Sequence, residues 1–263
     1  MKRLFLFVLL SLCAGTVHAQ QSAPPTRVPI LLYHRLGPIK ADSMTVTTPV
    51  FESHLKYLKE HGYTVIPLRQ VVDWLRKKAP APPAGSVVIV EDDAHKSVQS
   101  VMLPLVKKYR VPVTVFVYPS AISNAKYAMT WDQLRELKSS GLFDIQSHTF
   151  WHPDFRREKK RLKAAEYEKL VDVQLRKSRE RLKQQLGGEV DMLAWPYGIY
   201  NDYLLGRAAA AGYTATFTIE PRHVVQGDSV MALPRYLVSD ADRGEAFVHI
   251  LTGGGLKRSS AYP

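Results

Sequence analysis

The sequence predicts an α/β protein whose parallel strands form a distorted (β/α) barrel in a single domain. Short, continuous apolar runs alternate with segments that carry apolar residues at helical spacing. Continuous apolar strands are typical of parallel sheets, because helices cover both faces of such sheets. A length of 263 residues suits a barrel of βα units. The alternative, an open doubly wound sheet, is disfavoured because the chain has no Gly-rich phosphate-binding loop.

Each element in the first half of the chain is predicted from its apolar pattern and its flanking residues. β-Branched and aromatic runs predict strands at residues 28–33, 63–66, 87–90 and 113–118. Apolar residues at helical spacing predict helices at residues 50–61, 68–78 and 98–109. Gly62 directly follows the first of these helices, as expected of a C-terminal cap.

The second half of the chain continues the alternation of strands and helices. Strands are predicted at residues 143–146, 192–195 and 213–219. Helices are predicted at residues 130–139, 156–183 and 202–211, with a last helix around His249. Of these, the segment 156–183 is expected to be one long basic helix with a single apolar stripe.

The amino terminus has the features of a secretory signal peptide over residues 1–19. Lys2 and Arg3 precede an apolar run that is too short to span a membrane. A lipoprotein anchored through Cys13 is the weaker alternative, because Leu12 stands where a small residue is expected. We therefore expect a secreted, periplasmic protein with a tether at residues 20–27, one domain at 28–252 and a loose tail at 253–263. Removing the signal peptide leaves no cysteine, so the core alone must hold the fold.

The formal net charge of +12 favours acidic partners such as envelope lipids or acidic polysaccharides. Nucleic acid is disfavoured by export and by the absence of a nucleic-acid-binding motif. Much of the positive charge lies in residues 156–183, where a solvated helix face is the favoured interpretation. A contact between this segment and the envelope surface is the alternative. We expect a monomer.

Several residues whose side chains could act in catalysis or metal binding follow directly after predicted strands. They are His34, Asp92, Asp93, His148 and the turn at residues 195–198. Functional groups of βα barrels gather at the carboxyl ends of the strands, so one rim should collect them. His148 and His152, four residues apart, could bind a divalent cation together with a carboxylate, although an isolated pair is more often structural. A zincin protease is excluded because Thr149 stands where that class needs glutamate.

Three short motifs, taken in order, resemble those of the polysaccharide deacetylases (the NodB-homology domain of carbohydrate esterase family four). They are Asp92-Asp93, His148-Thr149-x-x-His152-Pro153 and Trp195-Pro196-Tyr197-Gly198. Leu31-x-x-His34 resembles the family's Leu-x-x-His motif. Its N-terminal place is similar to that in the circularly permuted branch, which includes exopolysaccharide poly-N-acetylglucosamine deacetylases. The resemblance extends over residues 29–238.

The resemblance implies a metal-dependent enzyme that removes N-acetyl groups from an N-acetylglucosamine-containing exopolysaccharide. A divalent metal, zinc by preference, would be held by Asp93, His148 and His152. Asp92 would be the general base and His34 the general acid. Substrate binding would fall to Trp195, Pro196, Tyr197 and Arg235, with the backbone N–H of Tyr197 also holding the oxyanion.

The chain departs from the family pattern at three points. Glu91 replaces an aromatic residue, and it could either pair with a basic side chain or join the metal ligands. Ala94 replaces a glycine, which predicts that this position does not need a positive φ. The arginine that orients the base in the third motif is missing. Arg235 is either its replacement or part of a structural salt bridge.

Two further histidines and five aromatic residues are candidates for roles in the cleft. His249 is a weaker rival to His34 as the acid, and His95 is expected to be a solvated loop residue. Five aromatic residues lie at or beside strand ends, where their rings could stack on sugars; they are Tyr118, Trp151, Trp195, Tyr197 and Tyr200. Among them, Trp195 is expected to form a cleft wall and Tyr118 to pack in the core.

Three other functions compete with the deacetylase prediction. The same site could serve an O-acetyl esterase that acts on an acetylated glycan. The changes at Glu91 and Ala94 could instead mark a catalytically impaired glycan-binding homologue. The third alternative is a basic protein that binds the envelope surface through residues 156–183.

Overall fold

The computed structural model describes residues 26–253 of the chain. The predictions for the signal peptide, for Cys13, for residues 20–25 of the tether and for residues 254–263 of the tail lie outside this range. No helix within residues 26–253 combines the length and the apolar character needed to cross a membrane.

Between Thr48 and Phe217, strands alternate with single helices or runs of helices; four strands precede this region, and two strands and a helix follow it. The strands are β1 (Arg27–Val28), β2 (Ile30–Tyr33), β3 (Arg35–Gly37), β4 (Thr45–Thr47), β5 (Thr64–Val65), β6 (Ser86–Asp92), β7 (Val113–Val117), β8 (Phe143–Ser147), β9 (Met192–Ala194), β10 (Ala215–Phe217), β11 (Val224–Val225) and β12 (Tyr236–Leu237). The helices are α1 (Thr48–Glu60), α2 (Leu68–Leu75), α3 (Leu103–Tyr109), α4 (Trp131–Ser139), α5 (Phe155–Arg161), α6 (Ala164–Asp172), α7 (Ser178–Leu186), α8 (Asp202–Ala210) and α9 (Glu245–Thr252). Short π-helical segments, Val98–Met102 and Val173–Lys177, precede α3 and α7, and a 3₁₀ turn spans Pro196–Gly198.

The main sheet is parallel and has the strand order β10-β9-β8-β7-β6-β2-β12, with β5 paired to the first part of β6. Beyond β10, Phe217 forms a parallel bridge with Leu233, and the chain then enters β12 beside β2. The sheet is therefore a curled half-barrel whose open side is partly closed by this segment. This architecture confirms the predicted distorted (β/α) barrel.

Alternate residues of the strands pack into different apolar clusters. In β6, Val88 and Val90 join the cluster that contains α2, whereas Val87 and Ile89 join the cluster that contains α1, α3, α4 and α9. Both faces of the sheet are thus covered, which explains why its strands are continuous apolar runs.

The predicted long helix over residues 156–183 is wrong as a single element. Helix α5 ends at Arg161, and Leu162 has the extended backbone angles φ −102° and ψ 151°. Asp154 caps α5 by accepting the N–H groups of Arg156 and Arg157 at 2.9 and 3.0 Å, so α5 starts as a separate helix. The second helical stretch then runs from Ala164 through the π-helical segment to Leu186.

Candidate active site

Neighbouring parallel strands bring the predicted residues to one edge of the sheet. His34 follows β2, Asp92 ends β6, and His148 follows β8. A cavity of about 470 Å³ opens at this edge. It is lined by His34, Arg35, Met44, Asp92, Asp93, His95, Tyr118, Tyr127, His148, His152, Trp195, Tyr197, Gly198, Ile219 and Leu237. The strand-end prediction therefore placed the candidate residues in a common cleft.

Asp93, His148 and His152 converge within this cavity. One ligand atom from each lies within 4.8 Å of the other two. Oδ1 of Asp93 is 3.6 Å from Nε2 of His148 and 3.7 Å from Nε2 of His152. Asp92 lies beside the group, with its Oδ2 3.7 Å from Nε2 of His148.

Both histidines are in the form that binds metal. Burial lowers the pKa of His148 to about 3 and that of His152 to about 4, so both imidazoles are neutral at neutral pH. Nδ1 of His148 lies 2.8 Å from the carbonyl oxygen of Ala194, to which it donates its hydrogen. This bond leaves Nε2, the atom that faces Asp93, with a free lone pair.

The donor set fits a divalent cation. Nitrogen and oxygen ligands at about 2.0–2.2 Å from a shared zinc ion lie roughly 3–4 Å from one another, and the two contacts to Asp93 match this spacing. Two neutral imidazoles and a carboxylate also leave further coordination positions for water and substrate. The three residues can therefore hold the metal that the resemblance implies.

Arg235 holds the carboxylate of Asp92 from inside the barrel. Its Nη1 and Nη2 donate to Oδ1 and Oδ2 of Asp92 at 2.8 and 2.9 Å, and its Nε donates to the carbonyl of Thr218 at 2.8 Å. Burial alone would raise the pKa of Asp92, but Arg235 and then His148 lower it to about 2. Asp92 is therefore ionised at neutral pH.

Arg235 makes the contact expected of a replacement for the arginine that is missing from the third motif, because it forms a buried ion pair with the proposed base, Asp92. The assignment of Arg235 to direct substrate binding needs correction. The side chain is completely buried and is absent from the cavity lining. Arg235 contacts the site through Asp92.

The turn after β6 contradicts one expectation and resolves another. Asp93 and Ala94 have φ angles of 84° and 55°, so the prediction that Ala94 avoids a positive φ is wrong. Glu91 takes neither of its two predicted roles. Its carboxylate accepts the backbone N–H groups of Ala94 at 3.2 Å and of His95 at 3.3 Å. Glu91 thus bonds to the turn that carries Asp93. Burial raises the pKa of Glu91 well above its ordinary value.

His34 lines the cavity, as predicted, but lacks the support expected of a general acid. Its Nδ1 is buried and has no hydrogen-bond partner within the described residues. Burial lowers its pKa, although Asp93 and Asp92 act in the opposite direction. The rival His249 is exposed on α9 and does not line the cavity. His95 does line it, with Nδ1 2.8 Å from Oγ of Ser97.

The prediction that the Trp195 ring forms a cleft wall is wrong. The residue borders the cavity, but its indole is fully buried, packs edge-to-face on Phe155 and donates to Oγ1 of Thr216 at 3.0 Å. Pro196 is buried as well and does not line the cavity, so its assignment to substrate binding is also corrected.

Tyr197 lines the cleft with an exposed side chain. Its side chain is 40% exposed, and its ring lies edge-on to His152 at 4.6 Å. Its φ of 56° and the φ of 65° at Gly198 produce a tight turn. A Cβ atom on Gly198 would lie 2.5 Å from Cγ1 of Ile219, so glycine is required there.

The other aromatic side chains divide between the cavity and the surface. Tyr118, predicted to be a core residue, is 9% exposed and also lines the cavity; its hydroxyl bonds that of Tyr127 at 2.6 Å. Trp151 is 46% exposed but lies outside the cavity lining. Tyr200 donates to Glu220 at 2.8 Å and likewise does not line the cavity.

Sequence reasoning missed part of the lining. Tyr127 is 45% exposed in the loop before α4, and Ile219 follows β10. Arg35 follows His34 in the sequence, and this position could have indicated that Arg35 lines the cavity. No strand end or motif marks Met44 or Tyr127.

A cavity at the carboxyl edge of a parallel barrel, with a candidate cation site beside an ionised carboxylate, is the arrangement of an enzyme that carries out hydrolysis. The chain belongs to the polysaccharide deacetylase family, whose sequence pattern matches residues 79–216. This matched region includes Asp92, Asp93, His148, His152 and the turn at residues 195–198.

Individual relatives agree with this membership. A Staphylococcus aureus protein named poly-beta-1,6-N-acetyl-D-glucosamine N-deacetylase is 28% identical over 212 residues, which cover 79% of this chain and 71% of the relative. The Streptococcus pyogenes deacetylase PplD, solved in complex with acetate, superposes with a TM-score of 0.76 at 23% identity, covering 87% of this chain and 99% of that one. IcaB from Ammonifex degensii has a TM-score of 0.74 at 24% identity, with coverages of 82% and 94%. At such identities the two structures establish the shared fold.

Proposed function

We propose that this protein is a metal-dependent N-deacetylase that hydrolyses the acetamide groups of an N-acetylglucosamine-containing exopolysaccharide. The observation that carries the proposal is the convergence of Asp93, His148 and His152 within 4.8 Å, with Asp92 beside them in the same cavity. The name of the Staphylococcus aureus relative favours a poly-β-1,6-linked substrate.

The metal would be held by Asp93, His148 and His152, a donor set that suits zinc. When bound, such a cation polarises a carbonyl oxygen and lowers the pKa of a water molecule. Asp92 would accept the proton of the attacking water, and the contact with Arg235, which keeps it ionised, supports this role.

Two further groups complete the proposed reaction. The turn at Tyr197 lies against His152, so its backbone N–H is a candidate donor to the oxyanion that forms at the acetyl carbon. His34 lines the same cavity and would donate a proton to the departing amine, without which the amine leaves poorly.

The proposal also includes the setting of the reaction. Export by residues 1–19 would bring the enzyme to a polysaccharide outside the cytoplasm, in the periplasm. The enzyme would act as a monomer, and the basic residues of 156–183 could attract it to the anionic envelope surface.

Acetate release from β-1,6-linked N-acetylglucosamine oligomers tests the proposal. Asp92→Asn removes the base and should lower the rate by about 10²- to 10⁴-fold. Asp144→Asn is a matched control, because Asp144 lies on β8 of the same sheet and is absent from the lining of the active-site cavity. Full activity in Asp92→Asn would contradict the proposed site. Cleavage confined to an O-acetylated glycan would instead identify an esterase.

A further inference from the structure

The buried face of the helix that contains α6 and α7 carries a polar residue, Gln174. It lies in the π-helical segment Val173–Lys177 and is completely inaccessible to solvent. The surrounding buried positions of this helix are mostly apolar, for example Val171 and Leu175. A π-helical turn inside an α-helix often occurs at a functional site, because it changes the direction in which its side chains point.

Gln174 bonds to the loop between the two metal-binding histidines. Its Oε1 accepts the backbone N–H of Phe150 at 3.1 Å and that of Trp151 at 2.9 Å. These residues occupy the middle of the segment from His148 to His152. One buried oxygen atom therefore satisfies two neighbouring backbone donors.

The loop itself adopts a conformation that needs such support. Thr149 and His152 have φ angles of 65° and 62°, in the left-handed region. This region is unfavourable for residues other than glycine, above all for a β-branched threonine. Such angles persist only where surrounding contacts determine the backbone. The two bonds from Gln174 lie between these two strained positions.

The same helix also contacts the residue that precedes the loop. Oγ of Ser178 lies 2.8 Å from Oγ of Ser147, and the Ser147 hydroxyl accepts the N–H of Thr149 at 3.3 Å. The hydroxyl of Tyr213 bonds Ser147 at 2.8 Å and the carbonyl of Leu175, within the π-helical segment, at 2.9 Å. The helix thus reaches both the start and the middle of the ligand loop.

We infer that Gln174 is a positioning residue that sets the conformation of the loop from His148 to His152 and thereby the affinity for the metal. The inference rests on the proposed metal site. Within the described residues, Gln174 makes no hydrogen bond to the three ligand side chains and does not line the cavity, so we assign its effect to the backbone of Phe150 and Trp151.

Three variants separate this role from general packing. Gln174→Met keeps the length of the side chain but removes the accepting oxygen. Gln174→Glu keeps an accepting oxygen and removes Nε2, which is buried without a hydrogen-bond partner in the described chain. Leu182→Ala, the control, opens a cavity under the same helix at a fully buried position, in an apolar cluster that does not include Phe150 or Trp151.

The readouts are the dissociation constant for Zn²⁺, from competition with a chromophoric chelator, and the visible spectrum of the Co²⁺-loaded protein. Loss of a contact that orients a metal ligand typically weakens metal affinity by about 10- to 100-fold. We expect a loss of this size in Gln174→Met, with an altered Co²⁺ spectrum, and recovery of most of it in Gln174→Glu. Leu182→Ala should lower the melting temperature while keeping the wild-type affinity and spectrum.

The possible failures are distinguishable. Wild-type affinity in Gln174→Met would overturn the role of Gln174 and leave the proposed function intact. An equal loss of affinity in Leu182→Ala would overturn it too, because packing alone would then account for the effect. Absence of Zn²⁺ binding in the wild-type protein would overturn the proposed function itself.

Discussion

Replacing Arg235 with methionine tests how the proposed base is held. The guanidinium makes two bonds to Asp92, and the side chains are 0% and 3% exposed. Removing one partner of a buried ion pair leaves an uncompensated charge, which costs about 3–5 kcal/mol. We expect Arg235→Met to lose this much free energy of unfolding at pH 7. It should also lose acetate release, because Asp92 is no longer oriented.

The pH dependence of stability should reverse in this variant. In the wild type, Arg235 helps hold the pKa of Asp92 at about 2, below its ordinary value of 3.8. The stabilisation, roughly 2 kcal/mol, is therefore present above pH 3.8 and is lost as the pH falls towards 2. Without Arg235, burial dominates and raises the pKa of Asp92. Protonation then removes a buried charge, so the variant should gain stability as the pH falls from 7 towards 3.8, a range in which Asp92 leaves the stability of the wild type unchanged.

Urea unfolding followed by tryptophan fluorescence measures both effects. The double variant Arg235→Met/Asp92→Asn removes the unpaired charge and should regain most of the lost stability. Arg135→Met is the control. The side chain of Arg135 bonds Asp132, and the two side chains are 48% and 89% exposed, so its loss should cost at most about 1 kcal/mol. A small loss in Arg235→Met, or a double variant as unstable as the single one, would refute this reasoning.

Two further predictions concern the fold around the site. Gly198→Ala should destabilise the protein by about 1–3 kcal/mol and impair activity, because a Cβ there meets Ile219 and φ is +65°. Gly206→Ala, in the open middle of α8, should instead stabilise by about 0.5–1 kcal/mol in thermal unfolding; the opposite order would contradict the steric argument. Burial lowers the pKa of His54 to about 4, so stability should fall by roughly 3 kcal/mol as the pH drops from 6.5 to 4. An equally steep fall in His54→Gln, measured by urea titration at several pH values, would exclude His54 as its source.

The convergence of the candidate ligands could be predicted from the sequence because parallel strands share one carboxyl edge. Asp93 and His148 each follow such a strand, although many residues separate them along the chain. The coverage of both sheet faces by helices was equally predictable, since the strands are continuous apolar runs. The order of the strands was not predicted and is known only from the structure.

The orientation of the Trp195 side chain could have been predicted from the sequence, but the prediction that was made is wrong. Successive side chains of a strand point to opposite faces. Ala194 joins the apolar cluster inside the barrel, so its neighbour Trp195 joins the outer cluster with Phe155. Position at a strand end was therefore an insufficient reason to place the indole in the cleft.

Other features depend on contacts that no local pattern shows. Ala94 adopts a positive φ in a turn whose N–H groups are accepted by the carboxylate of Glu91. In the sequence, nothing distinguishes Gln174 from the other polar residues of a basic helix. Its proposed role depends on a π-helical turn that directs its side chain towards a loop distant in sequence. Both effects arise from tertiary structure, which outweighs the local preference of the residue.

The central claim is that Asp93, His148 and His152 share one cation while Asp92 stands beside it. Equilibrium dialysis against Zn²⁺ tests this claim directly when the wild type is compared with His148→Ala and Asp92→Asn. We expect a single bound ion in the wild type, none in His148→Ala, and a retained ion in Asp92→Asn. Equal zinc binding by the wild type and His148→Ala would contradict the account.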